Sequence, residues 1–268
     1  MKCVEIALAE QYSFVNKEAN VRLVGYLQAE TRSKCLRPAV LVLPGGGYTH
    51  HGTMEGDAIA LQFLREGYQA FVLYYSLHPA AYPSQILDVA AAMEYITAHA
   101  EEYGIDPEKI VQIGFSAGGH LAASYACFAN RPEVTAHVKA RPAAAVILGY
   151  ALLTGPHGCL ARLAGKDALS EEEWQYLSPL AHVTAHHPPA FLWHTAEDKS
   201  VPVSDPLRYA QALCGVGVNT EIHVFPKGPH ALSTGGWATV ADENRECARS
   251  VSAWVPLAMR WLESLFQL

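Results

Sequence analysis

A G-x-S-x-G pentapeptide occupies residues 114–118 and places Ser116 between two glycines. A serine hydroxyl is a weak nucleophile at neutral pH, so it must be exposed at a sharp turn, near a base and near backbone N–H donors. Glycines two residues to either side allow a strand and a helix to pack closely around such a turn. Ser116 is therefore a candidate nucleophile. The alternative is an ordinary turn whose serine caps a helix.

The segments that flank the pentapeptide fit a strand followed directly by a helix. Residues 108–113 form a short β-type run after a turn at residues 104–107, and residues 121–126 follow a helical pattern. A nucleophilic serine of this kind requires that strand-turn-helix arrangement. The context therefore favours the nucleophile over the capping serine.

An acid and a base follow two later predicted strands, where ligands of an open parallel sheet bind. Asp198 lies in a D-x-x-V-P stretch and is the candidate acid, with Glu197 as the adjacent alternative. His230 lies in a loop bounded by glycine and proline after the final strand, and it is the candidate general base. Serine, acid and histidine in this chain order are typical of one class of serine hydrolases.

A run of three glycines at residues 45–47 follows the strand at residues 37–43. Without side chains, backbone N–H groups can point at a developing oxyanion. We assign Gly46 and Gly47, together with Ala117 after the nucleophile, as oxyanion donors. The alternative is a flexible turn.

The remaining histidines offer no obvious metal site. His120 lies one helical turn beyond Ser116 and can pack beneath the site, and His194 at a strand end is expected in the core. Adjacent histidines, as at positions 50–51 and 186–187, rarely point to one centre, and no carboxylate or cysteine spacing completes a zinc site. We therefore expect neither a metal nor an organic cofactor.

Strand and helix patterns alternate along most of the chain and predict a mostly parallel sheet with helices on both faces. Strands are predicted at residues 37–43, 70–75, 108–113, 143–148, 189–194 and 220–225. Helices are predicted at residues 56–66, at 84–103, from an N-cap at Asp205 with Pro206 in the first turn to Leu213, and at about 253–265. Residues 3–8 and 21–28 are expected to be antiparallel strands at one edge, because no crossover helix fits between them.

The periodicity weakens between residues 152 and 187, in an insertion between core strands. Residues 170–174 have the pattern of a short helix with a capping box. The insertion is expected to form a lid or substrate wall; a surface excursion is the alternative. No linker or repeat divides the chain, which predicts one domain over residues 1–268.

Composition limits the classes of partner. The net charge of -7 and the lack of a basic tract predict no positively charged patch that would bind nucleic acid or an anionic membrane. No apolar run approaches the length of a membrane span, and the first ten residues do not resemble a secretory signal, so a cytoplasmic protein is expected. Six scattered cysteines favour reduced thiols. A small neutral or weakly polar substrate is expected, and the oligomeric state stays open.

Three motifs resemble the bacterial acetyl-esterase and acetyl-xylan-esterase-like branch of the α/β-hydrolase superfamily. They are Leu-Pro-Gly-Gly-Gly-Tyr at residues 43–48, Gly-Phe-Ser-Ala-Gly-Gly-His-Leu-Ala at 114–122 and Ser-Pro-Leu at 178–180. The resemblance implies a serine carboxylesterase that removes small acyl groups, with acetylated xylo-oligosaccharides as the preferred substrate class. The chain departs from related enzymes at Pro44, where hormone-sensitive-lipase-type enzymes have histidine, and at Ala231, where many relatives have glycine.

Aromatic and imidazole side chains near the predicted strand ends are candidates for the substrate pocket, because aromatic faces suit sugar rings. The candidates are Tyr48, His50, Tyr75, Trp193 and Trp237. A core position is the alternative for each. Two other functions remain open: an arylformamidase or peptidase-like hydrolase, and a noncatalytic protein that binds a small ligand.

Overall fold

The computed structural model describes residues 1–28, 36–139, 141–153 and 158–268. Cys35 and residues 154–157 of the predicted insertion lie outside these ranges. The strands are β1 (Lys2–Ala7), β2 (Arg22–Leu27), β3 (Arg37–Leu43), β4 (Gln69–Tyr74), β5 (Ile105–Phe115), β6 (Ala145–Gly149), β7 (Ala190–Thr195) and β8 (Thr220–Phe225). The helices are α1 (Leu8–Gln11), α2 (Asp57–Arg65), α3 (Ser84–Ala98), α4 (Ala100–Tyr103), α5 (Ala117–Phe128), α6 (Pro132–Thr135), α7 (Gly158–Leu163), α8 (Glu171–Leu177), α9 (Ser204–Gly215), α10 (Arg245–Val251) and α11 (Trp254–Phe266). Short 3-10 helices cover Pro179–His182 and Asp242–Asn244.

In the described part of the chain the strands form one eight-stranded sheet in the order β1-β2-β4-β3-β5-β6-β7-β8. The pairs β1–β2 and β2–β4 are antiparallel, and all other neighbours are parallel. The predicted fold class, a mostly parallel sheet with antiparallel strands at the N-terminal edge, is confirmed. Since β3, β5, β6, β7 and β8 run in one direction, their carboxyl ends meet at one edge of the sheet.

Helices cover both faces of this sheet. One apolar cluster packs α1, α3, α5 and α9 against one face, and a second packs α2, α10 and α11 against the other. The central strands are continuously buried because both of their faces meet helices, as their unbroken apolar sequences indicate. Within the described ranges, the five cysteines are free thiols.

Three predicted boundaries were wrong. Strand β5 begins at Ile105, inside the predicted turn, because Gly104 in the left-handed region ends α4 and Ile105 pairs with Arg37. The helix expected over residues 84–103 is divided at His99 into α3 and α4. Asp205 is not the N-cap of α9 but lies in its first turn, where its carboxylate accepts the Leu153 N–H at 3.1 Å. A tertiary hydrogen bond therefore uses the side chain that the sequence suggested for capping.

The predicted helix at the centre of the insertion is present as α8. Ser170 Oγ accepts the Glu173 N–H at 3.2 Å, and the Glu173 carboxylate accepts the Ser170 N–H at 2.9 Å, which completes the capping box. The described parts of the insertion also contain α7 and the 3-10 helix Pro179–His182.

Candidate active site

Ser116 lies at the junction of β5 and α5 with a backbone φ of 50° and ψ of -117°. A Cβ atom at Gly114 would overlap the Gly118 carbonyl group, and one at Gly118 would overlap the carbonyl oxygens of Leu43 and Pro44. Both glycines are therefore required by close packing, as their spacing predicted. The sharp turn leaves the Ser116 side chain partly exposed at the carboxyl edge of the sheet.

His230 lies between Ser116 and Asp198. His230 Nε2 is 2.8 Å from Ser116 Oγ, and His230 Nδ1 is 2.6 Å from Asp198 Oδ2. The Asp198 side chain is fully buried, whereas the His230 side chain is 20% exposed. The structure thus brings together the three residues that the sequence singled out as nucleophile, acid and base, in hydrogen-bonding order.

Four hydrogen-bonding groups surround the Asp198 carboxylate. Asp198 Oδ1 accepts the N–H groups of Ser200 and Val201 at 2.8 and 3.0 Å, and Oδ2 faces His230 and, at 3.4 Å, His194 Nε2. Burial raises the pKa of Asp198, but hydrogen bonds from His230, Val201 and Ser200 outweigh it and hold the pKa below its ordinary value. An ionised Asp198 accepts a hydrogen bond from the Nδ1–H of His230, and this tautomer leaves the Nε2 lone pair facing Ser116.

Glu197, the alternative acid, is exposed, and no hydrogen bond joins it to His230 among the described residues. Its carboxylate accepts the Gly228 N–H at 3.4 Å. His194 is fully buried as expected, and it donates from Nε2 to the Val201 carbonyl at 2.9 Å. Of the two adjacent carboxylates, the geometry selects Asp198 for the contact with His230.

The glycine run forms a loop over Ser116, defined here as the glycine loop, residues 44–48. Gly46 and Gly47 have φ values of 121° and 60°, which favour glycine. None of the described residues accepts a hydrogen bond from the N–H groups of Gly46, Gly47 or Ala117. Arg162 of α7 donates from Nε to the Gly47 carbonyl at 3.2 Å. The three candidate oxyanion donors are thus available to a ligand atom.

Three of the five candidate pocket residues are buried, in the core position that was the alternative for each of them. Tyr48, Tyr75 and Trp193 are each at most 1% exposed. Trp193 stacks on Trp254 with ring centroids 5.3 Å apart, because alternate residues of β7 face the helices behind the sheet. The Tyr48 hydroxyl donates to His120 Nδ1 at 2.7 Å, and His120 Nε2 donates to the Leu177 carbonyl at 3.1 Å.

The other two candidates are on the surface: His50 is exposed, and Trp237 is 76% exposed. Among the described residues, no group of three or more His, Cys, Asp or Glu side chains is placed to hold a metal ion. His187, for example, is buried and contacts the Tyr209 hydroxyl and the Pro188 carbonyl. No helix in the described ranges combines the length and apolar character that crossing a bilayer requires.

Sequence reasoning missed a buried group behind the site. The Glu55 carboxylate accepts the Gly45 N–H at 2.7 Å and the Tyr150 hydroxyl at 2.6 Å. The Tyr150 oxygen in turn accepts the Ser233 N–H at 3.1 Å. Tyr150 directly follows β6, so the strand-end rule that found Asp198 would have found it too.

Comparisons with known proteins agree with this architecture. Residues 25–147 match the BD-FAE family model. The endo-1,4-beta-xylanase B of Butyrivibrio fibrisolvens is 34% identical over 74% of this chain and 33% of its own length. The first curated relatives are longer proteins, of which the chain spans 33 to 54%.

Two solved structures are similar over nearly their whole length. MGS-M1, an alpha/beta hydrolase enzyme from a Medee basin deep-sea metagenome library, is 32% identical with a TM-score of 0.82, covering 100% of this chain and 99% of its own. The acetyl ester-xyloside bifunctional hydrolase from Caldicellulosiruptor lactoaceticus is also 32% identical, with a TM-score of 0.78, covering 91% of this chain and 88% of its own.

Proposed function

The chain belongs to the α/β-hydrolase superfamily of esterases, and we propose that it is a serine carboxylesterase that removes small acyl groups. The observation that carries this proposal is the continuous hydrogen-bonded chain from Asp198 through His230 to Ser116. A protein that only binds a ligand has no chemical need for these three groups in this order.

In the proposed mechanism, His230 Nε2 takes the proton of Ser116 as Oγ attacks the ester carbonyl carbon. Asp198 holds the Nδ1–H of His230 and stabilises the imidazolium that forms. The N–H groups of Gly46, Gly47 and Ala117 bind the oxyanion, and each such donor contributes about a hundredfold or more in rate. The alcohol leaves with the proton of His230. Water activated by His230 then attacks the acyl carbon and releases the acid and free Ser116.

For the substrate we propose acetyl groups on xylo-oligosaccharides. The support comes from two similar proteins, one named a xylanase and one named an acetyl ester-xyloside hydrolase. The exposed ring of Trp237, seven residues after His230, offers a face of the kind that stacks on a sugar. We also propose that the part of the insertion that the structure describes from residue 158 to residue 187 forms a wall of the pocket, since α7 brings Arg162 to the Gly47 carbonyl.

The test is acetate release from acetylated xylo-oligosaccharides, measured beside p-nitrophenyl acetate and p-nitrophenyl butyrate for the wild type and S116A. Sugar deacetylation that S116A abolishes supports the whole proposal. Turnover of the aryl esters alone, again dependent on Ser116, keeps the esterase and removes the sugar assignment. S116A activity equal to wild type, or no labelling of Ser116 by a fluorophosphonate, overturns the serine mechanism.

A further inference from the structure

Glu55 is a buried carboxylate whose described partners include no cation. It is 5% exposed, and none of the ion pairs in the described part of the chain involves it. Burying a carboxylate is unfavourable unless hydrogen bonds replace its lost hydration. The two donors it has, the Gly45 N–H and the Tyr150 hydroxyl, each belong to a segment that borders the site.

The Gly45 contact fixes one peptide plane of the glycine loop. This plane is the peptide group that joins Pro44 to Gly45. Its carbonyl oxygen, from Pro44, accepts the Tyr75 hydroxyl at 2.6 Å, and its N–H, from Gly45, donates to Glu55. A Cβ at Gly45 would come within 3.0 Å of Ser116 Cβ, so this plane lies directly against the nucleophile. Rotation of the plane would move the N–H groups of the two residues that follow, which are the proposed oxyanion donors.

The Tyr150 contact reaches the loop that carries the general base. Besides accepting the Ser233 N–H, Tyr150 packs its ring against His230 with centroids 4.9 Å apart. The Ser233 hydroxyl donates to the carbonyl of Met54, the residue before Glu55. The path from Glu55 through Tyr150 and Ser233 therefore returns to the segment that carries Glu55.

We propose that Glu55 is a positioning residue that holds two loops in place around Ser116: the glycine loop and the loop after β8, which carries His230. This inference rests on the proposed function. Glu55 uses one carboxylate oxygen for Gly45 and the other for Tyr150, so both must be acceptors. Glutamine of equal size has one acceptor and one donor, so in either orientation its NH2 group would face a donor, the Gly45 N–H or the Tyr150 hydroxyl.

The experiment compares E55Q, Y150F and the double variant with the wild type, using p-nitrophenyl acetate. We expect E55Q to lower kcat by about 30- to 100-fold with KM changed less than about threefold, because misplaced oxyanion donors act on the transition state. The double variant should lose no more than the worse single variant, because the two groups act as a unit. The rate of fluorophosphonate labelling should fall with kcat.

D88N is the matched control. Asp88 is also a buried carboxylate that accepts a backbone N–H, that of Ser76 at 2.7 Å, but neither residue belongs to the proposed catalytic machinery. D88N should change the free energy of unfolding without changing kcat. A purely structural role for Glu55 would make E55Q behave like D88N.

Wild-type kcat in folded E55Q overturns the inference. If E55Q does not fold, Y150F decides, because it keeps the Gly45 contact and removes the link to Ser233; a Y150F enzyme with wild-type kcat contradicts the proposal. S116A is assayed in parallel. Wild-type turnover that does not depend on Ser116 would overturn the proposed function, and this inference with it.

Discussion

The side chains of Asp198 and His230 meet in a 2.6 Å hydrogen bond although 32 positions separate them in the chain. Asp198 lies in the loop after β7 and His230 in the loop after β8, and these parallel strands are neighbours. The second carboxylate oxygen is held by two backbone N–H groups, so Asp198 cannot rotate away from the imidazole. The sheet thus fixes which nitrogen of His230 carries the proton.

D198N tests that relationship. Asparagine can present its NH2 group to Nδ1, which would place the imidazole proton on Nε2, facing Ser116, and remove the base. We expect kcat to fall about 10⁴-fold with KM within a few fold. E197Q is the matched control, because the neighbouring carboxylate is exposed and makes one long contact. A larger fall in kcat for E197Q than for D198N, measured by steady-state kinetics, would show that the wrong acid has been assigned.

The sequence located Ser116, Asp198 and His230 because each follows a strand, and the carboxyl ends of parallel strands share one edge. It could not locate Glu55, which follows no strand and whose partner Tyr150 is 95 positions away. It left open whether Trp193 lines the pocket or lies in the core, because a strand buried on both faces shows no alternation to tell the two positions apart.

Gly118 provides a test of the packing around Ser116. An alanine Cβ there would overlap the backbone oxygens of Leu43 and Pro44, which cannot yield as a flexible side chain can. We expect G118A to lose about 3 kcal/mol or more of unfolding free energy and its activity. G215A at the end of α9 is the control, because its Cβ meets nothing within 4 Å; its stability should be equal or up to about 1 kcal/mol higher. Urea unfolding followed by circular dichroism measures both, and a G118A transition at the wild-type midpoint would refute the steric argument.

Arg162 tests the link between the insertion and the glycine loop. It is exposed, and its hydrogen bond to the Gly47 carbonyl is its contact with the loop. A hydrogen bond contributes about 1 kcal/mol to stability, so R162A should lower the free energy of unfolding by about 1 kcal/mol. Because the loosened loop would misplace the proposed oxyanion donors, kcat/KM should fall by about 5- to 30-fold. R249A, which removes another exposed arginine, from α10, should leave both unchanged. Equal kcat/KM for the two variants would argue that the insertion does not support the loop.

Asp88 makes stability depend on pH. Burial raises its pKa to about 7, although hydrogen bonds from Ser76 oppose the shift. Between about pH 4 and pH 7 the folded chain therefore keeps a proton on Asp88 that the unfolded chain has released. The free energy of unfolding consequently falls as pH rises through this window, by about 1.4 kcal/mol per pH unit, and this contribution stops changing above about pH 7.

D88N removes that titration while keeping an oxygen to accept the Ser76 N–H. The difference in unfolding free energy between wild type and D88N, measured with urea at half-unit steps from pH 5 to pH 8.5, should shift in favour of D88N up to about pH 7 and then stay constant. Taking the difference cancels the contributions of the other carboxylates to the pH dependence of the unfolding free energy. Asp198 is one of these, and its lowered pKa has the opposite effect. Its stabilisation is present at neutral pH and is lost as the pH falls through its folded-state pKa. Parallel curves for the two proteins would mean that Asp88 titrates alike in the folded and unfolded chains, and its burial would then not govern its charge.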